Sequence, residues 1–384
     1  MRFEFATANR IIFGDGCLRQ VGDLTVELGR RALVVTGNSV SRAVPLLEIL
    51  SVYQVGYVVF PVAGEPTVDV VREAADIARE RTCDLVIGFG GGSALDAGKA
   101  ASALLTNPGD LMDYLEVIGR GQALPQPAAP YVAIPTTAGT GTEVTRNAVL
   151  ASPDHGVKVS LRSRLMVPRV ALVDPVLTHS MPPEITASTG MDALTQLIEP
   201  YVSAKATPIT DALCVEGIRL AARSLRRACE HGDDAIARSD MARASLFGGM
   251  ALANASLGAV HGFAAAIGGA TAGPHGAVCA RLLPGVVEAN WRALTERARG
   301  SDALRRYREV ARILTGDSMS TAQDGVEWLY RLCEDLKIPR LRAYGLTLQD
   351  LAGIVDKSAK ASSMKGNPIQ LTTSEMMAIV ERAL

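Results

Sequence analysis

The sequence predicts an α/β, Rossmann-like domain with a parallel sheet over residues 1–181, followed by an all-α domain over residues 182–384. Two observations predict it. Before Pro182-Pro183, short runs of Val, Ile and Leu alternate with stretches of helical spacing. Continuous apolar strands joined by helices are what a parallel sheet covered on both faces requires. After that proline pair no alternating strand is found, and long Ala/Leu/Arg segments take over, as in residues 211–229 and 237–253. A chain of 384 residues suits two domains better than one core.

The strands expected are residues 32–36 ending at Gly37, 55–62 with Pro61 near the end, 84–87 running into glycines, 132–134, and 170–173. Residues 70–81 and 94–105 carry helical spacing and good helix formers.

Composition narrows the function. Hydrophobic residues make up 48% and charged residues 21%, enough to bury a sizeable core. The net charge of −1 argues against nucleic acid or an anionic membrane surface as partner, since both need a basic face. Residues 246–273 are the most apolar stretch, but Asn254, Ser256, His261 and the many Gly and Ala residues point to tightly packed helices rather than a membrane span. The Met1 end lacks a basic segment leading into an apolar one, so no signal peptide is expected and the location expected is cytoplasmic. Six cysteines without a CxxC pair read as reduced thiols.

Two loops carry chemistry. Gly90-Gly91-Gly92-Ser93 follows an expected strand and opens an expected helix containing Asp96 and Lys99. That order suits a dinucleotide's diphosphate: glycines let the backbone approach, and free N–H groups and the helix dipole face the anion. The run matches neither G-x-G-x-x-G nor a P-loop, and a tight turn is the plain alternative. The second loop, Pro135-Thr136-Thr137-Ala138-Gly139-Thr140-Gly141-Thr142-Glu143, also follows a strand and is dense in hydroxyl donors.

With these loops the chain resembles the iron-containing, or group III, alcohol dehydrogenases. Further matching stretches are Lys158-Val159-Ser160, Asp174-Pro175-Val176-Leu177, Gly190-Met191-Asp192-Ala193-Leu194, Leu257-Gly258-Ala259-Val260-His261, Pro274-His275-Gly276 and Gly366-Asn367-Pro368. They run in order along essentially the whole chain. The resemblance implies a catalytic cleft between the two domains and reversible hydride transfer between NAD(P) and a small alcohol or aldehyde, usually in a homodimer or larger homo-oligomer. It implies cofactor contacts from Gly90, Gly91, Gly92, Ser93, Asp96, Thr136, Thr137, Thr140, Lys158 and Leu177. Where NAD-preferring members carry an acidic residue beside the adenine ribose, this chain has Gly37. No carboxylate there excludes NADP, and Ser39, Ser41 and Arg42 are available to its extra phosphate.

The resemblance also implies a divalent metal, iron or zinc, that polarises the substrate oxygen. Asp192, His261 and His275 match family ligands and are the expected catalytic set. The fourth position, four residues after Asp192, is Gln196 instead of histidine. An amide oxygen is a weaker ligand than imidazole, and Gln196 either joins the metal or orients the substrate. Three ligands suffice for a catalytic ion. A second departure is Ala265, where a proton-relaying histidine is common. Asn147, Ala253, Leu257, Phe263 and Ala265 are the expected pocket lining, while His155 and His179 read as structural. The alternatives are a metal-independent maleylacetate-type reductase, a dehydroquinate-synthase-like sugar-phosphate cyclase, and a cofactor-binding subunit without catalysis.

Overall fold

The computed structural model describes residues 2–271 and 273–384. The described residues form two compact units: residues 7–137 and 141–179 make one, and residues 2–6, 138–140, 180–271 and 273–384 make the other.

In the first unit, β1 (Arg10–Phe13), β2 (Arg31–Gly37), β3 (Gly56–Val62), β4 (Leu85–Gly90), β5 (Tyr131–Pro135) and β8 (Val170–Val173) build a six-stranded sheet in the order β1-β8-β5-β4-β2-β3. All its pairings are parallel. Successive side chains point to opposite faces, and both faces are covered. Leu33, Val35 and Val86 pack with Val71, Ala75 and Leu104 of one helical layer, while Ala32, Val34 and Ile87 pack with Val21, Leu46 and Leu50 of the other. This two-sided burial is why the strands read as unbroken apolar runs; each full-sized side chain so placed contributes about 1.5–3 kcal/mol. Pro61 sits on edge strand β3, where its missing N–H costs no ladder bond on the outer side.

Three strands were not expected from sequence. β1 is only four residues long and pairs with β8 at the sheet edge. β6 (Asn147–Ser152) and β7 (Val157–Arg162) form a separate antiparallel hairpin. The hairpin turns at Gly156, whose φ of 60° suits glycine. Beside that turn His155 Nδ1 pairs with Ser152 Oγ at 2.8 Å, a structural role.

The second unit is helical, with no strand among the described residues. Its core joins the helices Pro183–Val202, Pro208–Glu230, Ala235–Ala255, Ala259–Gly268 and His275–Arg297. Pro182-Pro183 opens the first of these, where a helix tolerates proline. No single helix among the described residues is long and apolar enough to cross a membrane. The apolar stretch that drew attention is divided between two helices bent by 97°, with Ser256 at φ 65° in the bend. Phe263, expected in a pocket wall, is fully buried in this helical core instead.

Candidate active site

In the sheet unit the chain runs from β2 out to edge strand β3, then returns to the other side of β2 as β4. Such a reversal opens a crevice at the carboxyl ends of the strands, the usual seat of a nucleotide. Gly37 ends β2 and Gly90 ends β4. A Cβ on Gly90 would stand 2.7 Å from Ala94 Cβ and 3.3 Å from Gly37 N, so only glycine lets these backbones run so close. The helix Gly92–Thr106 begins with Gly91 as its cap, and no side chain caps it. The first N–H groups, Gly92 and Ser93 among them, are left for an anion.

The threonine loop starts beside it. Thr136 N donates to Gly90 O at 2.9 Å, and a Cβ on Gly91 would meet the Thr137 side chain at 3.3 Å. Asp96 is engaged in holding this loop: its carboxylate accepts from Thr142 Oγ1 and from Val149 N. Lys99, fully buried, donates to Thr142 O at 2.6 Å, Thr142 Oγ1 at 3.0 Å, Thr145 Oγ1 at 2.9 Å and Asn147 O at 2.9 Å. Burial draws its ammonium down to about 8, against the pull of Asp96 and Glu143. Thr140 belongs with the helical unit, next to Gly139, where an added Cβ would meet Thr189 at 2.7 Å. Lys158 on β7 is paired with Glu65 at 2.6 Å. Leu177 O accepts from Arg42 at 3.0 Å, which brings Arg42 beside an expected cofactor contact. Nothing lies within 4 Å of a Cβ placed on Gly37.

The helical unit holds a buried cluster. Asp192, Gln196 and Glu199 lie on one stripe of the helix Pro183–Val202, at spacings of four and three. His261 is in the first turn of the helix Ala259–Gly268, and His275 starts the helix His275–Arg297. Asp192 Oδ1 lies 3.4 Å from His261 Nε2 and 3.9 Å from His275 Nε2. Ligand atoms of Asp192, His261, His275 and Cys279 all fall within 4.8 Å of one another.

Hydrogen bonds fix the orientation of these groups. Gln196 Nε2 donates to Asp192 Oδ2 at 2.8 Å. His261 Nδ1 donates to Glu199 Oε2 at 2.6 Å, and Glu199 Oε1 accepts from Val260 N at 2.7 Å. With Nδ1 so occupied, His261 turns Nε2 toward Asp192. The opposite atoms are orphaned: Asp192 Oδ1, His261 Nε2 and Gln196 Oε1 are buried without a hydrogen-bond partner. Buried polar atoms rarely go unpaired, and each costs about 1–3 kcal/mol. Asp192 Oδ1 and His261 Nε2 face each other at 3.4 Å with His275 Nε2 3.9 Å from the same oxygen, an arrangement that fits a divalent cation. Burial works against charge on His261, but Cys279, Asp192 and Glu199 outweigh it and hold the imidazole well above its ordinary range. His275 is raised too, chiefly by Cys279. Asp192 is held below the usual carboxylate range: burial opposes this, and the two histidines prevail.

The sequence matches the family model for iron-containing alcohol dehydrogenase over residues 8–175 and its C-terminal model over residues 186–384. The chain belongs to the iron-containing alcohol dehydrogenase family. Members of this family oxidise alcohols and reduce aldehydes, and this alcohol dehydrogenase is an oxidoreductase of that kind. It is 36% identical to alcohol dehydrogenase 4 of Schizosaccharomyces pombe, over 97% of this chain and 87% of that one. It superimposes on a crystal structure of 1,3-propanediol oxidoreductase with a TM-score of 0.93, 33% identity and full coverage of both chains. A sulfoacetaldehyde reductase from Bifidobacterium kashiwanohense, solved with NAD+, gives 0.86 at 29% identity, covering 99% of this chain and 98% of that one.

Sequence reasoning had missed two residues of this dehydrogenase's buried cluster. Glu199 was signalled by its place on the Asp192 stripe, and Cys279 by its spacing of four from His275 on one helix.

Proposed function

We propose that the enzyme interconverts a small alcohol and its aldehyde or ketone, with NAD or NADP as hydride carrier and a divalent ion, iron or zinc, held by Asp192, His261 and His275. The orphaned Asp192 Oδ1 and His261 Nε2, with His275 Nε2 3.9 Å from that oxygen, carry this reading. A bound ion supplies Lewis acidity to the substrate's C–O group. Glu199 holds the His261 ring in the tautomer that leaves Nε2 free, and Gln196 holds the Asp192 carboxylate in place.

In the sheet unit, the N–H groups of Gly91, Gly92 and Ser93 take the diphosphate, with Thr136 and Thr137 beside it. Lys158 and Leu177 complete the cofactor contacts. Asp96 and Lys99 position the threonine loop through the bonds described above, so Asp96 acts on the cofactor through its neighbours. With Ala265 in place of a histidine, this chain offers no imidazole at that position to relay the proton of the alcohol.

Purified protein, stripped and reloaded with iron or zinc, should consume NADH or NADPH with a panel of short aldehydes and lose that activity with a chelator. Silence with every metal and both cofactors sinks the proposal.

Gly37 leaves the ribose 2′ position open to NADP. Gly37→Asp should raise KM for NADPH by about tenfold to a hundredfold, from repulsion of the 2′-phosphate, and leave NADH equal or better. Steady-state kinetics with both cofactors decide it, and an unchanged NADPH KM would place the ribose elsewhere.

A further inference from the structure

Cys279 has no place in the ligand set read from sequence, yet it stands inside the cluster. It is fully buried and lies one helical turn from His275, on the same face of the helix His275–Arg297. Its Sγ is 3.6 Å from His275 Nε2. Among the described residues it is the cysteine that shares a point with imidazoles and a carboxylate. Cys333, by contrast, spends its thiol on the carbonyl of Ala280.

Geometry supports a ligand role. Donor atoms on a tetrahedral ion with bonds of about 2.0–2.3 Å stand about 3.3–3.8 Å apart. Of the six separations, Asp192–His261 is 3.4 Å, Cys279–His275 3.6 Å and Asp192–His275 3.9 Å, and all six are within 4.8 Å, close enough for a bound ion to draw the set together. Gln196 is differently placed: its amide N–H group is committed to Asp192, and only the weakly ligating oxygen is left.

Resting on the metal-dependent reading above, we propose that Cys279 is the fourth protein ligand, taking over from Gln196, so that the ion sits in an Asp-His-His-Cys set. On binding, the S–H bond gives way to a metal–sulfur bond, and the proton passes to solvent. A thiolate among imidazoles selects zinc over harder ions. Zinc accepts a fifth ligand, so four residues do not close the site.

The test is cobalt(II) titration of the metal-stripped full-length protein, followed by absorption. One equivalent should bind with an intense near-ultraviolet sulfur-to-cobalt charge-transfer band. Cys279→Ala should abolish that band, keep the weaker visible bands of the histidine-bound ion, and lower zinc affinity by about tenfold to a hundredfold or more. Cys279→Ser, nearly isosteric, repeats the measurement should the alanine variant fail to fold, as judged by circular dichroism. Binding of one equivalent without the band overturns the thiolate ligand and leaves the metal reading standing. No binding at all overturns both. A band that survives in both variants assigns the sulfur to another cysteine and also overturns the proposal.

Discussion

Asp192→Asn is expected to strip the protein of its metal and lower kcat/KM by about a thousandfold while leaving the fold intact. The substitution keeps size and a carbonyl oxygen, so Gln196 Nε2 still has an acceptor at the position where it now meets Asp192 Oδ2. What it removes is the charge at Oδ1, the atom nearest both His261 and His275. Without that charge the two rings face each other, centroids 5.4 Å apart, with no anion between them. Lewis acid assistance supplies several kcal/mol to such reactions, and about 4 kcal/mol is a thousandfold in rate. Elemental mass spectrometry and steady-state kinetics on the same preparation check both halves. A variant that keeps one equivalent of metal and activity within tenfold of wild type would rule out Asp192 as a ligand.

The second large effect belongs to Lys99, buried in the sheet unit. Lys99→Met should destabilise the protein by about 2–4 kcal/mol. Methionine keeps the apolar stem but removes the donors that serve the carbonyls of Thr142 and Asn147 and two threonine hydroxyls. An ammonium has three protons for these four acceptors, so one proton is shared, and every acceptor is affected by its loss. In a chain of this size the melting temperature should fall by about 2–5 °C. The threonine loop should loosen with it, raising KM for the cofactor.

A pH signature accompanies this. The folded chain holds the Lys99 proton less tightly than the unfolded chain, at about 8 against 10.5. Wild-type stability therefore gains as pH rises from about 8 to 10.5, and loses that gain as pH falls through 8. The methionine variant should lack that rise. Chemical denaturation at several pH values in this window separates the two, and parallel curves for both proteins would contradict the argument.

How much was legible in the sequence follows from local patterning. β2, β4, β5 and β8 announced themselves because burial on both faces makes every residue apolar. β1 did not, since Arg10–Phe13 is too short to establish a pattern and lies at an edge. The β6–β7 hairpin did carry the alternation of a half-buried sheet, with Ala148 and Leu150 inward opposite Leu161 and Val159. Asp192, His261 and His275 were readable by resemblance to known motifs. Glu199 and Cys279 carried only a helical spacing, from Asp192 and from His275; their roles depend on which helices meet, and a cysteine in an apolar stretch looks like any core residue until an imidazole is found next to it.

Asp192, Gln196 and Glu199 share one helix, and so they share one phase. Removing or inserting a single residue between Pro183 and Asp192 would turn all three by about 100° relative to the helix entry. The stripe would then point away from His261 and His275. Substitutions along this helix are tolerated or not one side chain at a time, but its length is a single quantity. Homologous variation should therefore fall in residue type and not in residue number between Pro183 and Glu199, and a deletion series through that segment should show activity returning only when a whole turn has been removed.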